Sequence, residues 1–175
     1  MKIFITGCAK TGTTLVRRLF NAFDLKVYNR NEMSLQWFMN SNYQVAKRTV
    51  QSPFSNVYTM KERLLDDLDI IRINRLTVIN VTRNRKDTLK SDGGYVTPER
   101  YDECMRQAEH YKDHIAFTIP YERLMVEPDV IQQELAGKLR LTIVHKWSSY
   151  PDFVNISEES KHTHEGIYKL RPIGG

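Results

Sequence analysis

Lys10, Thr11, Gly12, Thr13 and Thr14 stand together in the stretch GCAKTGTT, where every polar group suits an anion. Gly7 and Gly12 let the backbone curl. A helix that begins at such a turn aims its first amides, and the positive end of its dipole, at whatever the turn encloses. The threonines add hydroxyl donors and Lys10 adds a point charge. A plain strand-to-helix turn with a surface lysine is the alternative, but glycines, threonines and context coincide in favour of a phosphate. A second stretch, VTRNRKDTLKS, carries Arg83 and Ser91 eight residues apart. A helix starting just after Arg83 brings Ser91 to the same side in about two turns. An arginine fork and a hydroxyl then grip one phosphate group. Taken alone, that stretch reads equally well as a basic helix start.

The first stretch is not the loop of a nucleoside triphosphatase. That loop has the form G-x-x-x-x-G-K-[ST], and here Thr13 occupies the lysine position. A magnesium-holding Asp is expected at the end of a neighbouring strand, but VINVT ends in Thr82 and Arg83. A tyrosine-phosphatase loop fails as well, because Cys8 lacks an arginine six residues on, where Thr14 stands. Cys8 instead reads as a small buried side chain beside the loop. Cys8 and Cys104 are the chain's two cysteines and form neither a metal-type pair nor a disulfide framework. His110, Asp113 and His114 follow an H-x-x-D-H order without a third ligand, so a solvated helix face is the better reading. Lys47 and Arg48 lie in an irregular segment, either steering an anionic acceptor or simply exposed.

These residues need strand ends to position them. Lys2–Thr6 reads as a buried strand, and Leu15, Val16, Leu19, Phe20 and Phe23 recur at helical spacing over Thr13–Phe23. Leu25–Tyr28 is a second short strand and Ser34–Met39 a short helix; Asn40–Ser55 is polar and loop-rich. Thr59 and Glu62 form a capping box for a helix over Met60–Leu68. Leu76–Thr82 is the clearest strand. SDGGYV is a turn, and Thr97-Pro98-Glu99 starts a helix reaching about His114. IAFTIP is a further strand, and a helix runs from Pro128 to about Leu139, ending near Gly137. Alternating strands and helices predict one α/β domain over residues 1–175, a P-loop-type three-layer fold with a short central parallel sheet. Ligands in such folds sit beyond the carboxyl ends of the strands, where Gly7 and Arg83 both fall.

The 175 residues carry 41% hydrophobic and 27% charged residues, a soluble globular composition. No stretch approaches the ~20 apolar residues that span a bilayer, and the N-terminus has no signal-peptide pattern, so a cytoplasmic protein without membrane contact is expected. The net charge of +5 favours an anionic ligand. Nucleic acid is disfavoured, because the basic residues are spread out and no DNA- or RNA-binding signature occurs.

KTGTT after the first strand and RNRKDTLKS after a central one closely resemble the sulfotransferase family that uses PAPS (3′-phosphoadenosine 5′-phosphosulfate). That family's motifs have the forms K-[ST]-G-T-[TR] and R-[ND]-x-x-[DE]-x-x-x-S. PYERLMVEP resembles its mainly structural Y-E-x-L-x-x-x-P segment, and the likeness runs from Met1 to about Leu139. The resemblance implies that Lys10 touches the phosphosulfate and stabilises the leaving phosphate. Thr11, Gly12, Thr13 and Thr14 would cradle the 5′ group, and Arg83 and Ser91 would read the 3′-phosphate. The reaction implied is in-line sulfuryl transfer to a hydroxyl or amine of a small-molecule or glycan acceptor, without metal. The histidine base of the small-molecule branch is absent, since no histidine precedes His110. The glycan branch uses a glutamate, and Glu32 in YNRNEMSLQWF stands in that place, with Arg30 near enough to keep it ionised; a solvated glutamate ahead of the Ser34 helix is the alternative. A basic C-terminal loop usually completes the family's nucleotide pocket. Lys161, His162, His164 and Gly166 are candidates, although the usual R-K-G form is missing. Trp37 and Trp147 are candidates to stack on the adenine, against the commoner role of core or rim residues. The shortness of the chain points to a small or exposed acceptor. A kinase using ATP and magnesium, or a non-catalytic nucleotide-binding protein, are the rival readings.

Overall fold

The five residues of β1 (Ile3–Gly7) are all buried, as a strand covered on both faces must be. A computed structural model of the chain describes residues 1–30, 32–49, 70–91 and 96–156. Among these, four strands form one parallel sheet in the order β2-β1-β3-β4, with β2 (Val45–Lys47), β3 (Thr77–Thr82) and β4 (Ile115–Pro120) completing it. Side chains alternate between the two faces. Ile3, Ile5, Ile79 and Val81 pack with α1 (Thr13–Leu19) and with two helices introduced after β4. Phe4 and Val78 pack oppositely, with α2 (Leu35–Asn40) and Ile71 of a helical stretch over 70–73. Helices on both faces of a parallel sheet make the α/β three-layer architecture.

α1 stops at Leu19 and tightens into a 3₁₀ turn, Phe20–Ala22, instead of running on to Phe23. The expected strand over Leu25–Tyr28 is reduced to isolated bridges, Phe23 with Ile143 and Val27 with Val45. Its ladder does not continue because the Leu25 amide donates to the Phe23 carbonyl at 2.8 Å and that of Lys26 to the Gln44 side chain at 3.0 Å. The strand lies instead within the stretch read as loop-rich. Val45, Ala46 and Lys47 form β2, too short to show a period, and are ordered by pairing with Ile3, Phe4 and Ile5.

After β3, Asn84 caps α3 (Arg85–Lys90) by accepting from the Lys86 amide at 2.9 Å. Thr97 caps α4 (Pro98–His110), accepting from the Arg100 amide at 3.3 Å, with proline at the first turn. That helix ends before His114 because Tyr111 leaves helical geometry to bury its ring, 1% exposed; a 3₁₀ turn, Lys112–His114, follows. α5 (Tyr121–Val126) and α6 (Pro128–Leu139) close the sheet's first face. α6 runs through Gly137 and terminates at Arg140, whose φ of 54° is the left-handed stop. The helix over Met60–Leu68 and most of the SDGGYV turn lie outside the described residues. No helix among the described residues is long and apolar enough to cross a membrane.

Candidate functional site

The strand order makes β1 the pivot: the chain goes to β2 on one side and to β3 on the other. Such a switch point opens a crevice beyond the carboxyl ends of the two central strands. Gly7 ends β1 there and Thr82 ends β3. The turn after β1 requires its glycines. A Cβ on Gly7 would lie 2.4 Å from the Val81 carbonyl oxygen, and one on Gly12 (φ 96°) 2.4 Å from the Tyr121 ring. Lys10 also has positive φ, at 66°. A lysine in the left-handed region is strained backbone, and such strain concentrates where a side chain must be aimed.

A cleft of about 510 Å³ lies over this turn, within the size range of small-molecule sites. Lys10, Gly12, Thr13 and Thr14 line one part of it, and Thr13 and Thr14 open α1, where amides lack intrahelical acceptors. Thr11 is not in the lining. Its hydroxyl donates to the Cys8 carbonyl at 2.7 Å and its amide to the same oxygen at 3.3 Å, so it ties the turn shut. Arg83 reaches the cleft from β3. Its Nη1 donates to the Lys10 carbonyl at 3.1 Å, and its guanidinium lies 4.7 Å from the centre of the Tyr121 ring. The Tyr121 ring thus underlies both Gly12 and Arg83, and burial raises its phenol's pKa. Glu122 accepts from the Asn84 amide at 2.7 Å. The YE pair at the start of α5 therefore holds the loop that carries Arg83.

Glu32 lines the same cleft with Lys47 and Thr49. Its Oε1 accepts from the Thr49 amide at 3.0 Å, from the Thr49 hydroxyl, and from Lys47 Nζ at 3.4 Å. Lys47, read as part of an irregular segment, is at the end of β2 and only 7% exposed. Burial lowers its pKa, and the Glu32 carboxylate pulls it back part of the way. The cation beside Glu32 is thus Lys47; the Arg30 carbonyl is bonded by buried Arg17. Arg18 lines the rim and pairs with Asp152 at 3.6 Å. Lys10, Arg18, Lys47 and Arg83 outnumber the one carboxylate among the described lining residues, Glu32. The resulting positive potential draws anions.

Ser91 follows α3 as its C-cap, and its hydroxyl donates to the Thr88 carbonyl at 2.9 Å. It is outside the cleft lining, so the structure joins Arg83 to Lys10 and leaves Ser91 at the far end of α3. Lys161, His162, His164 and Gly166 lie outside the described residues. Trp147 is not free to stack on a ligand. It is fully buried, packs edge-on against Phe20 and Phe23, and donates Nε1–H to the Leu19 carbonyl at 2.7 Å. Trp37 projects from α2, 75% exposed. Cys8 and Cys104 are free and buried in an apolar cluster with Val96 and Tyr101.

Thr49 and Tyr121 escaped sequence reasoning, and Lys47 was singled out only as steering an anionic acceptor or exposed, not as the partner of Glu32. Lys47 ends and Thr49 follows a three-residue strand without periodic signal, and the Tyr121 segment read as structural only. No family model matches this chain, and a search of curated proteins found no match either.

Proposed function

We propose that this protein is a PAPS-dependent sulfotransferase, transferring a sulfuryl group to a hydroxyl or amine of a small-molecule or glycan acceptor. The observation that supports it most is the composition of one cleft. A glycine turn at the end of β1, with Lys10 and Arg83, shares one cleft with a carboxylate, Glu32. In this reading the acceptor oxygen attacks sulfur while its proton passes to Glu32. The bond from sulfur to the bridging phosphate oxygen breaks, and adenosine 3′,5′-bisphosphate leaves with the electron pair. Lys10, Thr13 and Thr14 stabilise the charge that builds on the leaving phosphate. Arg83 takes the 3′-phosphate, with Ser91 as the second contact if α3 adjusts on binding. Thr11 shapes the cradle through Cys8, and Gly12 lets the backbone approach the ligand. Lys161, His162 and Gly166 remain candidates to cover the nucleotide.

A magnesium-ATP kinase is the poorer reading. Strands β1 and β3 end in Gly7 and Thr82, and Glu32 already bonds Lys47 and Thr49. Titration calorimetry separates the two. Adenosine 3′,5′-bisphosphate should bind without magnesium, and ATP with magnesium should bind more weakly. Binding only of magnesium-ATP would sink the proposal. A protein that binds the bisphosphate tightly yet never consumes PAPS would be a binding module.

A further inference from the structure

We propose that Lys47 is a positioning residue of this cleft, which with Thr49 fixes one oxygen of Glu32 so that the other faces the acceptor. The inference rests on the sulfuryl-transfer reading for its function, but its geometry stands apart. Every hydrogen bond to Glu32 among the described residues falls on Oε1, from Thr49 and from Lys47. A carboxylate gripped by one oxygen from two directions has little freedom left, and its second oxygen is the one available to accept a proton. β2 supplies the rigidity, since Lys47 is paired in register with Ile5 and its carbonyl accepts from the Met33 amide, the residue after Glu32, at 3.1 Å. Backbone and side chain of the same residue thus hold the Glu32 segment to the sheet.

The energetics favour a functional reason for the lysine. A cation so deeply buried loses more by desolvation than Glu32 returns, and buried Arg17 adds like-charge repulsion. A fold seldom gains stability from such a group. A methionine of similar length would fill the space without the charge. Groups that a fold tolerates at a cost collect at sites of chemistry.

Three measurements on the full chain test this. Titration of the Lys47 side-chain resonances should give a lower midpoint in Glu32→Gln than in wild type, because the attraction that raises it is gone. Equal midpoints would overturn the pairing. Lys47→Met should melt no lower than wild type, while its hydrolysis of PAPS alone, read at saturating PAPS so that weaker binding does not count, falls about 10-fold. Lys47→Arg should recover part of that rate. Parallel loss of melting temperature and rate, or an unchanged rate, would overturn the positioning role. If wild type binds the bisphosphate but leaves PAPS intact, the sulfuryl-transfer reading fails, and the resonance titration still decides whether Lys47 holds Glu32.

Discussion

Lys10 serves two interests that conflict. Its backbone is held at positive φ, where a side chain is unwelcome, yet its carbonyl receives Arg83 and its side chain lines the cleft. Lys10→Gly relieves the backbone, so folding stability should hold or rise by about 1 kcal/mol. Loss of a charge-assisted contact worth about 1.5–3 kcal/mol should weaken adenosine 3′,5′-bisphosphate binding tenfold or more. Denaturant unfolding and calorimetry on one variant check both halves, and a parallel loss would mean the lysine is structural. Lys47 makes a pH prediction. Its pKa is lowered in the folded state, chiefly by burial, from the ordinary 10.5. Between the two values the unfolded chain binds more protons, so stability from this position rises with pH and is lowest below that window. Any stability advantage of Lys47→Met over wild type should therefore shrink as pH climbs toward 10.5. Urea unfolding across that range reads the difference, and an advantage that grows with pH contradicts it.

Elements are held to the site by few contacts. α5 places Tyr121 under Gly12 and Arg83, and Glu122 on the Asn84 amide, so the segment after β4 sets the shape of the loop after β3. α1 is anchored from its other end, where the Leu19 carbonyl accepts from the Trp147 indole. α6 shows a contrasting glycine. A Cβ on Gly137 would meet nothing within 4 Å, and the residue sits inside the helix at ordinary φ. Gly137→Ala should then stabilise the protein by about 0.5–1 kcal/mol without changing nucleotide affinity. A thermal melt beside a binding titration checks it; lost stability would mean that helix needs its glycine for a partner. Sequence ran α6 to about Leu139, as observed, but assigned its stop to the nearby glycine because glycine is a common stop. The stop came at Arg140, which adopts the left-handed conformation despite its side chain.

For the whole molecule, the site and the sheet are one construction. Its walls come from the turn after β1, α1, the end of β2, Arg83 just past β3 and α5, brought together only when the sheet is assembled in the order β2-β1-β3-β4. A ligand bridging these walls should stabilise the fold as a unit. Adenosine 3′,5′-bisphosphate at about 100 times its dissociation constant should add about 2.7 kcal/mol, raising the melting midpoint by several degrees with or without a chelator. A shift that requires magnesium would favour the kinase reading.

The strands of β1, β3 and β4, the helix starts after Arg83 and at Thr97, and the turn with Gly7 and Gly12 were legible in the sequence, because each is specified by neighbours along the chain. The same local logic gave Lys10, Thr13, Thr14 and Arg83 as candidates, whereas Glu32 came from the family resemblance alone. β2 was not legible, since three residues carry no period and pairing with β1 orders them. Nor were Lys47 at Glu32 or Tyr121 beneath Arg83, which are fifteen and thirty-eight residues apart. Nor were the partners of Thr11 and Trp147 legible: buried polar groups must find acceptors, and theirs are the Cys8 and Leu19 carbonyls. The sequence by itself determined the glycine turn after β1 and the layered fold, from local spacing and hydrophobic period. Tertiary structure alone decided which side chains meet across the cleft, because parallel strands join residues that the chain keeps far apart.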